Sequence, residues 1–286
     1  MNFNRRLLKT GAVAAAVTIA FAIFVYGASD WIKGMRSDST TCSISATVVQ
    51  PAKIIPQIVA GSFDGGTTYI TIIQIVNTGS APQDVSAAFY NEDGTPLNNV
   101  PLAADKTSIS NGVLPPVSIP KDGMLIITAG APSNPGKLGW GRVTTCGTSS
   151  ISTFVEMRDS SSRVISRASV TASPSNMSSF VIPRIRERST DLDTAFAVVN
   201  TASSGSAILR AELIDATGSV IAAKDILMAA GSHQSLFVHK DLFPALKEGD
   251  ARTYQHLKFS STSPTFAATA LAIEGAMLTS LPVEPN

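Results

Sequence analysis

The sequence is poor in the residues that carry chemistry. Of 286 residues, two are cysteines, three are histidines, 6% are aromatic and only 15% are charged. Each shortage argues against a class of function. A net charge of +1 supplies no basic surface to neutralise phosphates, so nucleic acid is not an expected partner. Neither cysteine has another Cys or a His close to it in sequence, so a zinc site is not expected. Calcium loops need several oxygen ligands around one turn. Here Asp64, the pair Glu92-Asp93, and Asp191 with Asp193 offer at most two carboxylates each, and turn chemistry accounts for them. No Gly-x-Ser-x-Gly elbow is present, which argues against a hydrolase nucleophile on that turn. No cofactor is implied. Low charge with abundant Ser, Thr, Ala and Val suits β-sheets better than helical bundles, whose exposed faces need Lys and Glu.

What the chain does contain is a repeated pattern. Ile55-Pro56-Gln57-Ile58, a Gly/Thr-rich connection and Tyr69-Ile70-Thr71-Ile72-Ile73-Gln74-Ile75-Val76-Asn77-Thr78 form the first copy. Val181-Ile182-Pro183, a polar connection and Thr194-Ala195-Phe196-Ala197-Val198-Val199-Asn200-Thr201 form the second. The Asn-Thr pairs are offset by 123 (200 minus 77), and the turn glycines Gly94 and Gly218 by 124 (218 minus 94). Two landmarks at nearly one offset indicate true repetition. A later pair, Gly123 and Gly231, is offset by only 108. The first copy therefore holds about 16 extra residues (124 minus 108), placed near 107–116, and a loop lengthened in one copy is where a binding role can be grafted. Alternating stretches elsewhere, such as 85–90, 124–128, 139–145, 151–157, 234–238, 257–261 and 266–273, read as half-buried strands. Lys240-Asp241-Leu242-Phe243-Pro244 reads as a single helical turn stopped by proline.

The first residues carry Arg5, Arg6 and Lys9 ahead of an uncharged run over 10–29, the charged-then-apolar layout of an export segment. It serves either as a cleaved signal peptide or as a retained membrane anchor, since residues 11–28 just span a bilayer as a helix. Membrane association is expected only through this segment. The boundaries follow: 1–28 signal or anchor, 29–50 spacer and lead-in strand, 51–172 first β-sandwich, and 173–286 second β-sandwich. Export favours a disulfide between Cys42 and Cys146, the alternative being two separate reduced thiols.

Several side chains are candidates for function. His233 and His239 are six apart, so on one continuous strand they share a face. With Ser232, Ser235 and Asp241 nearby they admit a hydrolase or a two-His metal site, but no third ligand can be named. Trp140 lies between Gly139 and Gly141, neighbours that leave a ring uncovered, so it can stack on a sugar or anchor a partner. Arg184, Arg186 and Arg188 alternate and line one side of an extended stretch, suited to acidic polysaccharide, phosphate headgroups or acidic protein residues. A plain surface network with Glu187, Asp191 and Asp193 is the competing explanation.

The layout resembles uncharacterised exported bacterial proteins built from paired Ig-like β-sandwich repeats. The resemblance is carried by Ile55-Pro56-Gln57-Ile58, the Asn-Thr strand ends, the Asp93-Gly94 turn, Gly139-Trp140-Gly141-Arg142-Val143, Asp241-Leu242-Phe243-Pro244 and Ser280-Leu281-Pro282-Val283. It covers about residues 52–283 and implies architecture without an activity. The expectation is an all-β chain of two tandem Ig-like antiparallel sandwiches behind a signal or anchor helix. Its expected role is that of a non-enzymatic extracytoplasmic interaction or structural module of the surface or periplasm, meeting protein or polysaccharide. The alternatives are a carbohydrate-binding module using Trp140 and the first copy's insertion, and an enzyme centred on His233 and His239. Strand edges at residues 54–60 and 278–283 are expected to be covered by the sister copy or used in assembly.

Overall fold

The computed structural model describes residues 42–44, 52–63, 65–98, 100–105, 107–130, 135–173, 176–185, 192–245 and 255–286. The export segment, most of the lead-in strand, Asp64, Arg186, Arg188 and Asp191 lie outside them. Among the described residues no helix is long and apolar enough to cross a membrane.

The described chain is antiparallel β-sheet nearly throughout. Its first half runs β1 (Ala52–Ser62), β2 (Thr68–Asn77), β3 (Gln83–Asn91), β4 (Leu102–Ala104), β5 (Thr107–Ser108), β6 (Val113–Ile119), β7 (Met124–Ala129), β8 (Lys137–Thr145), β9 (Ser149–Arg158) and β10 (Val164–Ser169). The second runs β11 (Ser179–Ile185), β12 (Leu192–Asn200), β13 (Ser206–Ile214), β14 (Val220–Ala229), β15 (His233–Phe237), β16 (Gln255–Ser260), β17 (Phe266–Glu274), β18 (Met277–Leu281) and β19 (Glu284–Pro285). β-Branched residues dominate β2, and in β3 Val85, Ala87 and Phe89 turn inward at the period of two that a half-buried strand requires.

Pairing repeats with the sequence. In the first half β1-β8-β3-β6 form one ladder and β7-β2-β9 the core of another; in the second, β11-β16-β13-β14 and β15-β12-β17 have the same order. The last residues of β1 also pair with β2, joining the first half's two ladders into one ten-stranded sheet folded around its core, while the second half stacks two separate sheets around its own. Ile55, Ile73, Phe89, Leu114 and Ile127 are in the first core, and Phe180, Phe196, Leu209, Phe259 and Phe266 in the second. The matching turns are superimposable in their bonds: Asn91 N donates to Thr95 O and Asp215 N to Ser219 O, while Gly94 N donates to Asn91 O and Gly218 N to Asp215 O. Cys42 and Cys146 form a disulfide with their Cα atoms 5.7 Å apart, fixing the chain before β1 to the end of β8.

Two expectations are corrected here. Residues 97–120 are not only a connection: Pro115 and Pro116 conceal β6, which pairs with β3 as β14 pairs with β13. The extra length precedes it, since 21 residues (92–112) join β3 to β6 and five (215–219) join β13 to β14, a difference of 16 that includes β4 and β5. The turn after residue 120 aligns Asp122 with Gly231, both with positive φ, at an offset of 109 rather than 108. The expectation for the edge at residues 54–60 is met: β1 ends its ladder beside β8, its Ile54 exchanges backbone hydrogen bonds with Ser173, and it packs against β12 and β17 of the second half.

Candidate functional site at the seam

The seam between the halves is where the unusual residues collect. β17 reads Phe266-Ala267-Ala268-Thr269-Ala270-Leu271, and all six are buried. A strand without polar alternation has both faces covered. Phe266, Ala268 and Ala270 enter the second core, Ala267 packs with Ile54 and Trp140, and Leu271 joins the first core. Small side chains on the outward face let the other half approach closely.

Trp140 is at the centre of this contact. It is 3% exposed, stacks on Tyr90 with ring centroids 4.3 Å apart, and donates from Nε1 to the Gly231 carbonyl at 3.0 Å. The reading of Trp140 as an exposed stacking platform is therefore corrected. Its flanking glycines do not uncover it; they admit neighbours. A Cβ on Gly139 would stand 2.3 Å from the Tyr90 carbonyl oxygen, and one on Gly141 3.0 Å from the Phe89 ring. Opposite, Gly94 meets Gly231 so closely that its own Cβ would lie 2.9 Å from the Gly231 oxygen. His233 N donates across the seam to Glu92 O at 2.8 Å.

Beside the tryptophan lies a polar cluster. His233, 2% exposed, has Nε2 3.3 Å from Gln57 Oε1, and the Ser235 hydroxyl donates to the same oxygen. An amide oxygen only accepts, so the imidazole proton is on Nε2. Burial holds the His233 pKa down to about 4, because a charged ring there would lose its hydration. With its proton directed at Gln57, Nε2 is not free to accept one from Ser235, 3.4 Å away. Asp241 Oδ2 accepts from Phe237 N at 2.8 Å, closing the turn that follows β15. The Ser/His/Asp grouping thus does not assemble as a nucleophile and its base.

The two-histidine reading is also corrected. β15 ends at Phe237, and His239 belongs to a π-helical turn, Val238–Leu242, so the two rings are not on one strand. Asp193 holds that turn: Oδ1 accepts from His239 N and Oδ2 from Lys240 N, both at 3.2 Å. Asp93 Oδ1 accepts from Thr95 N and Oγ1, and these bonds hold its pKa low. Among the described residues, no group of three or more His, Cys, Asp or Glu converges as a metal site. Arg184 falls in β11, with its side chain outside the described residues, as are Arg186 and Arg188.

The Asn-Thr landmarks have a structural explanation. Asn77 is fully buried; its amide donates to the carbonyls of Ala81, Ile119 and Pro120, and its oxygen accepts from Gly79 N. Asn200 donates to Met228 O and accepts from Ala202 N and Thr265 Oγ1. Each ends a central strand and ties it to the opposing sheet. One buried charge, Glu156 on β9, is 1% exposed and bonded by Arg158 and Arg167. Burial raises its pKa, but the two guanidinium groups outweigh it and hold the carboxyl below its ordinary value.

A cleft of about 440 Å³ opens along the seam, lined by Val59, Phe63, Tyr69, Leu138, Leu236 and Phe237 among others, with Lys240 and Asp241 also contributing. Phe63 meets Tyr69 edge-on at 5.7 Å, and the Lys240 ammonium lies 5.5 Å above the Phe237 ring. Such a lining accepts apolar or amphipathic groups. It offers few hydrogen-bonding groups for the hydroxyls of a sugar.

No family model matches the chain, and no curated protein matches it. Among solved structures it is similar to a glycosyl hydrolase family 2 member from Bacteroides cellulosilyticus, at 9% identity and a TM-score of 0.18, covering 78% of this chain and 26% of that one. It is also similar to the pilus backbone of Streptococcus pneumoniae, at 9% identity and a TM-score of 0.16, covering 79% of this chain and 52% of that one. The chain thus spans about a quarter and about half of their lengths. Scores this low fall short of a shared fold.

Proposed function

We propose that the chain is a non-enzymatic, extracytoplasmic structural or interaction module of the surface or periplasm, made of two tandem Ig-like sandwiches behind a signal or anchor, that presents its partner surface on one stiff body. Its partner is a protein or polysaccharide. The observation that carries this reading is the seam. Trp140, Gly94, Gly231, Gln57 and His233 are spent on joining the halves, with the aromatic side chain and the imidazole both buried. Functional sites keep polar groups convergent and available; here the convergent ones are committed to architecture. The disulfide supports an oxidising compartment.

Relaxation-based NMR on the exported protein tests the stiffness: both halves should share one rotational correlation time, and two separate times would refute it. Fractionation with thiol labelling tests the compartment. The expected result is exported protein whose thiols react only after reduction; cytoplasmic protein with free thiols overturns it. The carbohydrate-binding alternative loses its exposed tryptophan, and a glycan array should show no binding that depends on Trp140.

A further inference from the structure

The two halves treat their outer sheet edges differently. Among the described residues β6 and β14 occupy the same place, each ending a ladder and pairing on one side only, with β3 and β13 respectively. Unpaired edges recruit other strands unless something blocks them. β6 is blocked: Pro115 and Pro116 stand mid-strand, and its register breaks between Val85 and Ala87 of β3. β14 has ten residues, Val220-Ile221-Ala222-Ala223-Lys224-Asp225-Ile226-Leu227-Met228-Ala229, and no proline.

The pairing also gives the direction of its backbone groups. Ala230 N donates to Gly205 O, and β14 pairs with β13 one-to-one from Ala229 to Ala222. Hydrogen-bonded and non-hydrogen-bonded pairs alternate in an antiparallel ladder. Met228, Ile226, Lys224 and Ala222 therefore bond to β13, and the N–H and C=O groups of Ala229, Leu227, Asp225 and Ala223 face outward. The side chain of Leu227 is 67% exposed, and its cross-strand neighbour Ile208 is 55% exposed. Lys224, the residue best placed to repel an incoming strand, turns its ammonium to the Asp241 carbonyl at 3.1 Å.

We propose that β14 is an assembly edge, and that its occupant is β14 of a second copy of this chain, added antiparallel to continue the five-stranded sheet across a two-fold axis. The choice of occupant follows from the edges a copy can offer. β5 and β19 have two residues each, and β19 contains Pro285. β6 is blocked by its prolines. β10 and β18 lie against one another, with Leu278 N donating to Ser166 Oγ and Ser280 Oγ to Ser169 O. β15 has five residues and runs directly into the π-helical turn. Among the described residues only β14 combines length with an open row of amides, so self-association is β14 to β14. An interface that uses the same strand on both sides closes as a dimer and does not propagate into a filament.

Sedimentation equilibrium of the full chain tests this. The wild-type chain should dimerise. Ala223→Pro removes one outward N–H and leaves the β13 ladder intact, as proline is tolerated on an edge. It should weaken the dimer about tenfold or more, because each dimer loses the bond twice. Leu227→Lys should weaken it similarly by placing a charge on the edge. Val113→Lys, at the blocked β6, should leave it within about twofold of wild type. A monomeric wild type throughout the accessible concentration range overturns the proposal. So does a dimer that survives both β14 variants in chains whose thermal unfolding is unchanged.

Discussion

Gly94 and Gly218 occupy equivalent turns, and the structure predicts that replacing them by alanine has unequal consequences. Their φ angles are 82° and 84°, so the left-handed conformation costs alanine about 1–2 kcal/mol at either site. Beyond that they diverge. Around Gly218 an added Cβ meets nothing within 4 Å, whereas at Gly94 it stands 2.9 Å from the Gly231 oxygen and 3.1 Å from its carbonyl carbon. Those are backbone atoms, which cannot swing aside. Relief requires moving Gly231, whose oxygen accepts from Trp140 Nε1 and whose N–H donates to Asn200 O. Overpacking of this kind costs about 1–3 kcal/mol, and weakening the tryptophan hydrogen bond adds about 1 kcal/mol.

Gly94→Ala should therefore lose about 3–6 kcal/mol and Gly218→Ala only about 1–2 kcal/mol. Urea unfolding measures the difference. Trp140 gives a second readout, since the chain's other tryptophan is Trp31: in a Trp31→Phe background, Gly94→Ala should red-shift the native emission and Gly218→Ala should not. Equal losses for the two variants, with unshifted emission in both, would refute the account of the seam.

Trp140→Phe keeps the stack on Tyr90 but removes the donor to Gly231, so it should cost about 1–2 kcal/mol by urea titration, against about 3–5 kcal/mol for Trp140→Ala; similar losses for both would deny the hydrogen bond and stack separate roles. His233 binds a proton below pH 6.5 in the unfolded chain but not until about 4 in the folded one, so its contribution is complete above pH 6.5 and falls by about 3 kcal/mol as pH drops toward 4. His233→Gln should flatten stability between pH 6.5 and 5, a window above the ordinary value of 4.5 for Glu156; an unchanged slope would contradict the buried neutral ring. Reducing the Cys42–Cys146 bridge, which spans 104 residues, should lower stability by about 4–5 kcal/mol on the chain-entropy estimate, and an unaltered urea midpoint after complete reduction would show that the bridge does not constrain the unfolded chain.

The repeat was legible because its signals are local. Asn77 and Asn200 end central strands and each accepts from the N–H two residues on, at Gly79 and Ala202, so their spacing survives in sequence, as do the turn glycines. The seam was less legible because each of its signals has two meanings. Glycines beside Trp140 can uncover a ring or admit a neighbour, and only the position of Tyr90 and Phe89 decides between them. The available clue lay elsewhere, in the unbroken run Phe266-Ala267-Ala268-Thr269-Ala270-Leu271, whose lack of alternation requires cover on both faces. Proline hid β6 by the same ambiguity, since it breaks a central strand but is at home on an edge. The histidines misled for a different reason: a six-residue spacing implies a shared face only if the strand is continuous, and the π-helical turn after Phe237 ends that continuity.

These failures share a cause that bears on function. In a duplicated fold, residues that differ between copies are natural candidates for an activity, and Trp140, His233 and the prolines of β6 are all such differences. Here the first two serve contact between the copies, since two equivalent halves cannot meet through equivalent surfaces unless the contact is a two-fold one. A tandem seam is heterologous: β1, β8 and β10 of the first half face β12, β15, β17 and β18 of the second. Each copy must therefore diverge on the face it gives to the other. The prolines of β6 do not belong to that contact, so the seam does not account for them. They and the open edge of β14 are left as the asymmetry that points outward, and the search for this chain's partner should start there.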